Sequence, residues 1–215
     1  MAAMRLGGTL AKVAARSAEG FSVPDAAQVA AVRILGRPAV VIYQADAGEF
    51  GRRGDTGLGV ITRVDLLDLL LGLPHGCPVP SGSLAMRERS LLRDLPPGSV
   101  ELEPGTVIRR ATVPLKVDLA VVPAGDWRRG LDQASLFAPF CSRAVVLARL
   151  PADADHLLLE AAYYGIGVAV AGDSDIEVLA DPQPFSRQCY KAAGWWFAEQ
   201  VYAQVTGQER EDFPA

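Results

Sequence analysis

The chain has 215 residues, of which 50% are hydrophobic and 21% charged, and its formal net charge is −4. That is enough chain to bury one large core or two small ones, and the composition is globular rather than disordered. Residues 1–106 carry 11 basic and 11 acidic groups and residues 107–215 carry 10 and 14. Neither half therefore has the basic excess that general binding to nucleic acid or to an anionic membrane requires.

No apolar run approaches the roughly 20 residues that span a bilayer. The opening stretch MAAMRLGGTLAKVAARSAEG lacks a compact apolar segment with a cleavage site, so it reads as the N-terminal helix of a cytoplasmic protein. Cys77, Cys141 and Cys189 are far apart, which suits buried thiols in a reducing compartment better than a disulfide framework or a zinc site. With only His75 and His156 present, a histidine-rich metal centre is excluded. Arginine outnumbers lysine 18 to three and asparagine is absent, a bias better explained by GC-rich coding than by phosphate recognition.

In chain order, a helix is expected over 4–18 and a short strand over 20–23. Pro24–Asp25 then open an Ala/Val-rich helix that ends near Gly36. PAVVIYQA (38–45) is a buried-type strand, DAGEFGRRGDTGLG (46–59) a turn-rich loop, and 58–62 a further strand. Thr62 starts a helix running to about Leu71. The segment GLPHGCPVPSGS (72–83) is dense in Pro, Gly and Ser and marks a boundary or crossover, followed by a short amphipathic helix over 84–95.

The second half alternates more clearly. Strands are expected over 99–103, 106–113 and 116–122, a helix over 127–140, a strand over 143–149, and a helix from Pro151 that Gly165 closes. Strands over 166–171 and 176–180 come next, then a last helix from Ser186 to Val205. The expectation is an α/β fold with mixed, partly parallel sheets flanked by helices. It divides into an N-terminal α/β unit (1–75), a Pro/Gly-rich crossover with its short helix (76–105) and a C-terminal α/β unit (106–215).

Thr62 and Asp65 stand at an expected strand-to-helix junction. Helix capping is one account, since a Thr oxygen satisfies an orphan N–H and an acid in the first turn suits the helix dipole. The other is a nucleotide site, where free N–H groups attract phosphate and a carboxylate accepts bonds from ribose hydroxyls. Over residues 20–71, GFSVPDAAQVAAVRIL, PAVVIYQADAG and GVITRVDLLDLL resemble one CBS repeat in its order strand, helix, strand, strand, helix. That resemblance implies that Thr62 and Asp65 contact the phosphate and ribose of an adenine nucleotide.

Residues 106–180, with TVIRRATVPLKVDLAVV, LDQASLFAPF, RAVVLAR and HLLLEAAYYGIGVAVAG, resemble the core of the PD-(D/E)xK nuclease-like fold, so the C-terminal half is expected to be restriction-endonuclease-like. Gln133–Ala134 and Gly165–Ile166–Gly167 fall where that fold carries similar pairs. Such nucleases hold Mg²⁺ with carboxylates beside a lysine. Here the corresponding strand reads Ala120-Val121-Val122, which can neither bind a metal nor activate water. Asp118, two residues from Lys116 on one face, is the acid on that strand, and Glu101 and Glu103, which share a face, are the carboxylates able to converge with it.

Other features have plain readings. GRRGDTGLG lacks the Gly-Lys-Ser/Thr of a Walker loop, so a hairpin loop is the default and phosphate binding by Arg52 and Arg53 a minority reading. His75 with Cys77 does not make a catalytic dyad without an orienting group, and Ser81 and Ser83 have no nucleophile-elbow context. Tyr190, Trp195, Trp196, Phe197 and Tyr202 make the last helix aromatic, which suits core packing or a docking face for a protein partner or a second copy.

The leading expectation is therefore a non-enzymatic protein on a degenerate nuclease-like module, binding a protein or nucleic-acid partner, with no metal and no cofactor. The alternative is a regulatory protein sensing an adenine nucleotide through Thr62 and Asp65. A Mg²⁺-dependent nuclease using Asp118 with Glu101 or Glu103 ranks third.

Overall fold

The computed structural model describes residues 20, 21, 24, 26–172, 176–186 and 191–207. The helix expected over 4–18 lies outside them, as do Asp25, Cys189 and Tyr190. In chain order the strands are β1 (Gln28–Ile34), β2 (Arg37–Ala45), β3 (Pro78–Pro80), β4 (Val100–Glu103), β5 (Thr106–Arg109), β6 (Leu115–Ala124), β7 (Ser142–Leu147), β8 (Gly167–Ala171) and β9 (Ile176–Ala180). The helices are α1 (Ala47–Thr56), α2 (Val64–Gly72), α3 (Met86–Leu91), α4 (Trp127–Ser135), α5 (Ala154–Tyr164) and α6 (Ala192–Val205). This is an α/β fold with a mixed sheet and flanking helices.

The described residues form two compact units, one from those up to Gln44 with those of Val117–Ser186, the other from Ala45–Lys116 with residues 191–207. Neither is a consecutive stretch, a different division from segments 1–75, 76–105 and 106–215.

The first unit carries a six-stranded sheet in the order β1-β2-β6-β7-β8-β9. β6, β7 and β8 run parallel, joined by α4 and α5, and the sheet is flanked by the antiparallel pairs β1–β2 and β8–β9. The inner strands are nearly continuous runs of Ala and Val because both faces of a parallel sheet are covered. Val40, Ile42, Leu119, Val121, Ala144, Val146 and Ala169 form one buried layer with Phe21.

The helix expected over 25–36 is instead strand β1, paired with β2 from Gln28↔Tyr43 to Ile34↔Arg37. Its two-residue turn, Leu35–Gly36, has φ of 53° and 71°, the double left-handed pattern of a hairpin loop that matches strand twist. Alanine favours helix locally, but Val32 and Ile34 gain burial on alternate positions only as a strand.

The second unit combines a small antiparallel sheet, order β3-β5-β4, with α1, α2, α3 and α6. The loop expected over 46–59 is largely helix α1. Asp46 caps it, accepting the Glu49 N–H at 2.9 Å, and Gly57 closes it in the left-handed conformation. Residues 58–63 form no strand. The core here is Leu58, Ile61, Leu66, Leu67, Leu70 and Ala111 against Trp195 of α6.

Leu35 in a left-handed conformation costs roughly 1 kcal/mol that Asn or Gly would not incur. Leu35→Asn is expected to raise stability by up to about that amount in urea unfolding. Conversely, a Cβ on Gly130 of α4 would stand 2.8 Å from both Ala124 Cβ and Val145 Cγ1, so Gly130→Ala should destabilise by about 1–3 kcal/mol.

Candidate functional site

The junction between α1 and α2 is tied to a buried ion pair, and it leads through Thr62 to Asp65 in the first turn of α2. Its origin is Arg53, on the last turn of α1 and only 1% exposed. A guanidinium cannot sit in a core without partners. Its Nη1 and Nη2 donate to the two carboxylate oxygens of Glu199 at 2.9 and 2.6 Å, and Nε donates to Glu49 at 2.8 Å. Nη2 also reaches the Thr112 carbonyl at 3.2 Å, and the guanidinium lies 4.7 Å from the centroid of the Tyr202 ring.

Glu199 is equally saturated. Besides Arg53 it accepts the indole N–H of Trp195 at 2.9 Å and the backbone N–H of Ile61 at 3.0 Å. The last bond explains why 58–62 is not a strand: the Ile61 N–H goes to a side chain of α6 rather than to a ladder. Arg52 pairs with Glu49 through Nε at 2.7 Å and donates to the Gly98 carbonyl at 2.6 Å. Phosphate binding by Arg52 and Arg53 is thereby overturned for this arrangement, since both guanidinium groups are engaged inside the protein.

Burial pushes the Glu49 carboxyl up, but its bonds to Arg52 and then Arg53 outweigh that and hold it below the ordinary carboxylate range. Burial likewise opposes the charge on Arg53, while Glu199 and then Glu49 more than restore it.

Thr62 is exposed and does not cap α2. The N-cap is Arg63, in extended backbone, and no side chain bonds to the helix N-terminus from that position. Asp65 lies in the first turn of α2. Its carboxylate accepts from Arg63 Nε and Nη2 at 3.1 and 2.7 Å and from the Leu66 N–H at 3.0 Å. The Arg63 bond chiefly holds the Asp65 carboxyl below its usual range. Arg63 also pairs with Asp94 at 2.8 Å. These exposed pairs orient side chains more than they stabilise the fold.

Beside them lies an open cleft of about 320 Å³ between α2 and α3, with Leu69 and Leu91 in its wall and Asp65, Asp68, Glu88 and Arg87 around it. Three carboxylates against one guanidinium disfavour a phosphate there.

The nuclease-like candidates have the following surroundings within their own units. Ala120, Val121 and Val122 are fully buried on β6. Asp118 accepts from Gln44 Nε2 of β2 at 2.6 Å. Glu101 is paired with Arg110, through Nε at 2.9 Å, and Glu103 is exposed at the end of β4. Glu101 and Glu103 belong to one compact unit and Asp118 to the other. Among the described residues no group of three or more His, Cys, Asp or Glu side chains stands ready to hold a metal ion.

Ala134 is buried on α4, Gly165 closes α5 in the left-handed conformation, and Ile166 leads into β8 from the core. His75 and Cys77 are exposed. Ser83 donates to the Pro80 carbonyl within a single 3₁₀ turn over Ser81–Ser83. The aromatic cluster of α6 is present, and it is core: Trp195, Phe197 and Tyr202 are buried.

The network's second member left a legible mark. Glu199 is the one charged residue in AAGWWFAEQVYAQV, and a lone carboxylate on a buried helix demands a buried cation. Its partner, 146 residues away, has no such mark because the Arg52–Arg53 pair looks like any solvated loop charge.

No family model matches the chain, and no curated protein and no solved structure is significantly similar to it.

Removing one partner of the buried pair strands the other charge. Glu199→Ala is expected to cost about 3–5 kcal/mol in urea unfolding, whereas the double change Arg53→Met with Glu199→Leu costs much less. Glu49 supplies a pH signature. Its folded pKa lies below the unfolded value of about 4.3, so its stabilisation is complete above that value and disappears as pH falls through the folded one. Glu49→Gln should flatten the acid limb of a stability-versus-pH curve.

Proposed function

We propose that the chain is a non-enzymatic protein on a degenerate nuclease-like α/β module and that it works by binding a protein partner. The observation that carries this reading is the middle of β6. Where the nuclease-like comparison calls for metal-binding and water-activating side chains, Ala120, Val121 and Val122 are packed into the sheet with no exposure at all. Asp118, the remaining carboxylate of that strand, is bonded to Gln44. A protein partner is favoured over nucleic acid by the net charge of −4.

The nucleotide-sensing alternative has one observation in its favour, the cleft beside Asp65. Its lining charge weighs against a phosphate, and Thr62 lies outside the cleft's lining residues.

Two measurements test the reading. Plasmid and short duplex DNA incubated with the protein and Mg²⁺ or Mn²⁺ should remain intact; cleavage that disappears in Asp118→Ala would overturn it in favour of a nuclease. Thermal unfolding should not shift with AMP or ATP. A shift abolished by Asp65→Ala would reinstate the sensor.

A further inference from the structure

Helix α5 is held at both ends yet presents an apolar face to solvent. At its start Asp153 accepts the Trp127 indole N–H and an Arg128 N–H, each at 3.0 Å, tying it to α4. At its end Gly165 closes the last turn, and the Tyr164 carbonyl accepts from Arg143. Leu157 and Ala161 are buried on its inner face. On the opposite side Asp155, Leu159 and Tyr163, spaced four residues apart, form one row. Leu159 is 70% exposed and Tyr163 82%.

Among the described residues Leu159 and Tyr163, at the centre of this outward face, leave most of their apolar surface in water. The Tyr163 ring meets that of Tyr164 edge-to-face at 5.0 Å, so part of its ordering is already in place. A rigid helix with ordered rings loses little freedom when it docks.

The flanking charge restricts the occupant. Asp155 and Glu160 are exposed beside Leu159 and Tyr163, and α5 carries no lysine or arginine. A second copy would set these acids against their own kind, and nucleic acid or an anionic membrane would be repelled. We propose that the outer face of α5 docks a partner protein through an apolar patch rimmed by Lys and Arg. An 11-residue helix is about 16 Å long, so one of its faces makes a small, transient interface rather than a permanent one. This rests on the partner-binding reading above and names its surface.

The test uses the full chain and a fluorescent amphipathic Leu/Lys helical peptide as a stand-in for such a patch, read by anisotropy. Saturable binding is expected, weakened about tenfold or more both by Leu159→Ser with Tyr163→Ser and, separately, by Asp155→Lys with Glu160→Lys. Met86→Ser, at an 81% exposed apolar residue of the other unit, should change nothing. All positions are exposed, so circular dichroism should show the variants folded. Absence of binding, or affinity indifferent to the Leu159/Tyr163 pair, overturns the proposal; so does a dimer in light scattering that this pair abolishes. DNA cleavage would instead sink the non-enzymatic reading and leave the peptide result standing, so the two failures are distinguishable.

Discussion

A buried guanidinium organises the second unit. Arg53 joins α1 to α6 through Glu199, reaches the Thr112 carbonyl, and shares Glu199 with the Ile61 N–H of the segment leading to α2. Taking these charges out of water costs several kcal/mol each, and the bonds repay it only because every strong donor and acceptor direction is used. The pair therefore need not add much net stability. What it does is tie α6 to both Arg53 of α1 and Ile61 of the segment leading to α2.

The same constraint explains how an unpromising helix persists. α1 contains Gly48, Gly51 and Gly54, each costing about 1 kcal/mol relative to Ala in a helix interior. Its Asp46 cap, its Gly57 closure and the Glu49–Arg53 pairing along one face offset that cost. Without the tertiary partner Glu199, Arg53 would belong in water and the glycines would favour a loop.

In the first unit the physical logic is that of a sheet covered on both faces. Parallel strands β6, β7 and β8 are Ala- and Val-rich because neither face meets water, and α4 lies close enough to the sheet that Gly130 has no room for a methyl group. A strand so packed has little freedom to carry carboxylates. The carboxylate it does hold, Asp118, is answered by Gln44 on the neighbouring strand β2. On the outer helices the packing is less demanding, and α5 keeps Leu159 and Tyr163 in solvent.

The amino-acid sequence by itself determined the elements whose signals are local and uncontested: strands β2, β6 and β7 from their apolar, β-branched stretches, α5 from its acids at the start and Gly165 at the end, and the α/β class from their alternation. It also showed that Ala120–Val122 offer no side chain able to ligate a metal. Tertiary structure decided the rest. AQVAAVRI has alanines for a helix and β-branched residues for a strand, and only the pairing with β2 selects the strand. VIT (60–62) reads as a strand, but the bond from Ile61 to Glu199 removes its ladder partner. Arg53 and Glu199 could not be matched from sequence, because a charge's partner is chosen by proximity in space and 146 residues separate them. The exposure of Leu159 and Tyr163 was equally invisible, since an apolar residue on a helix says which environment would suit it, not which one the fold provides.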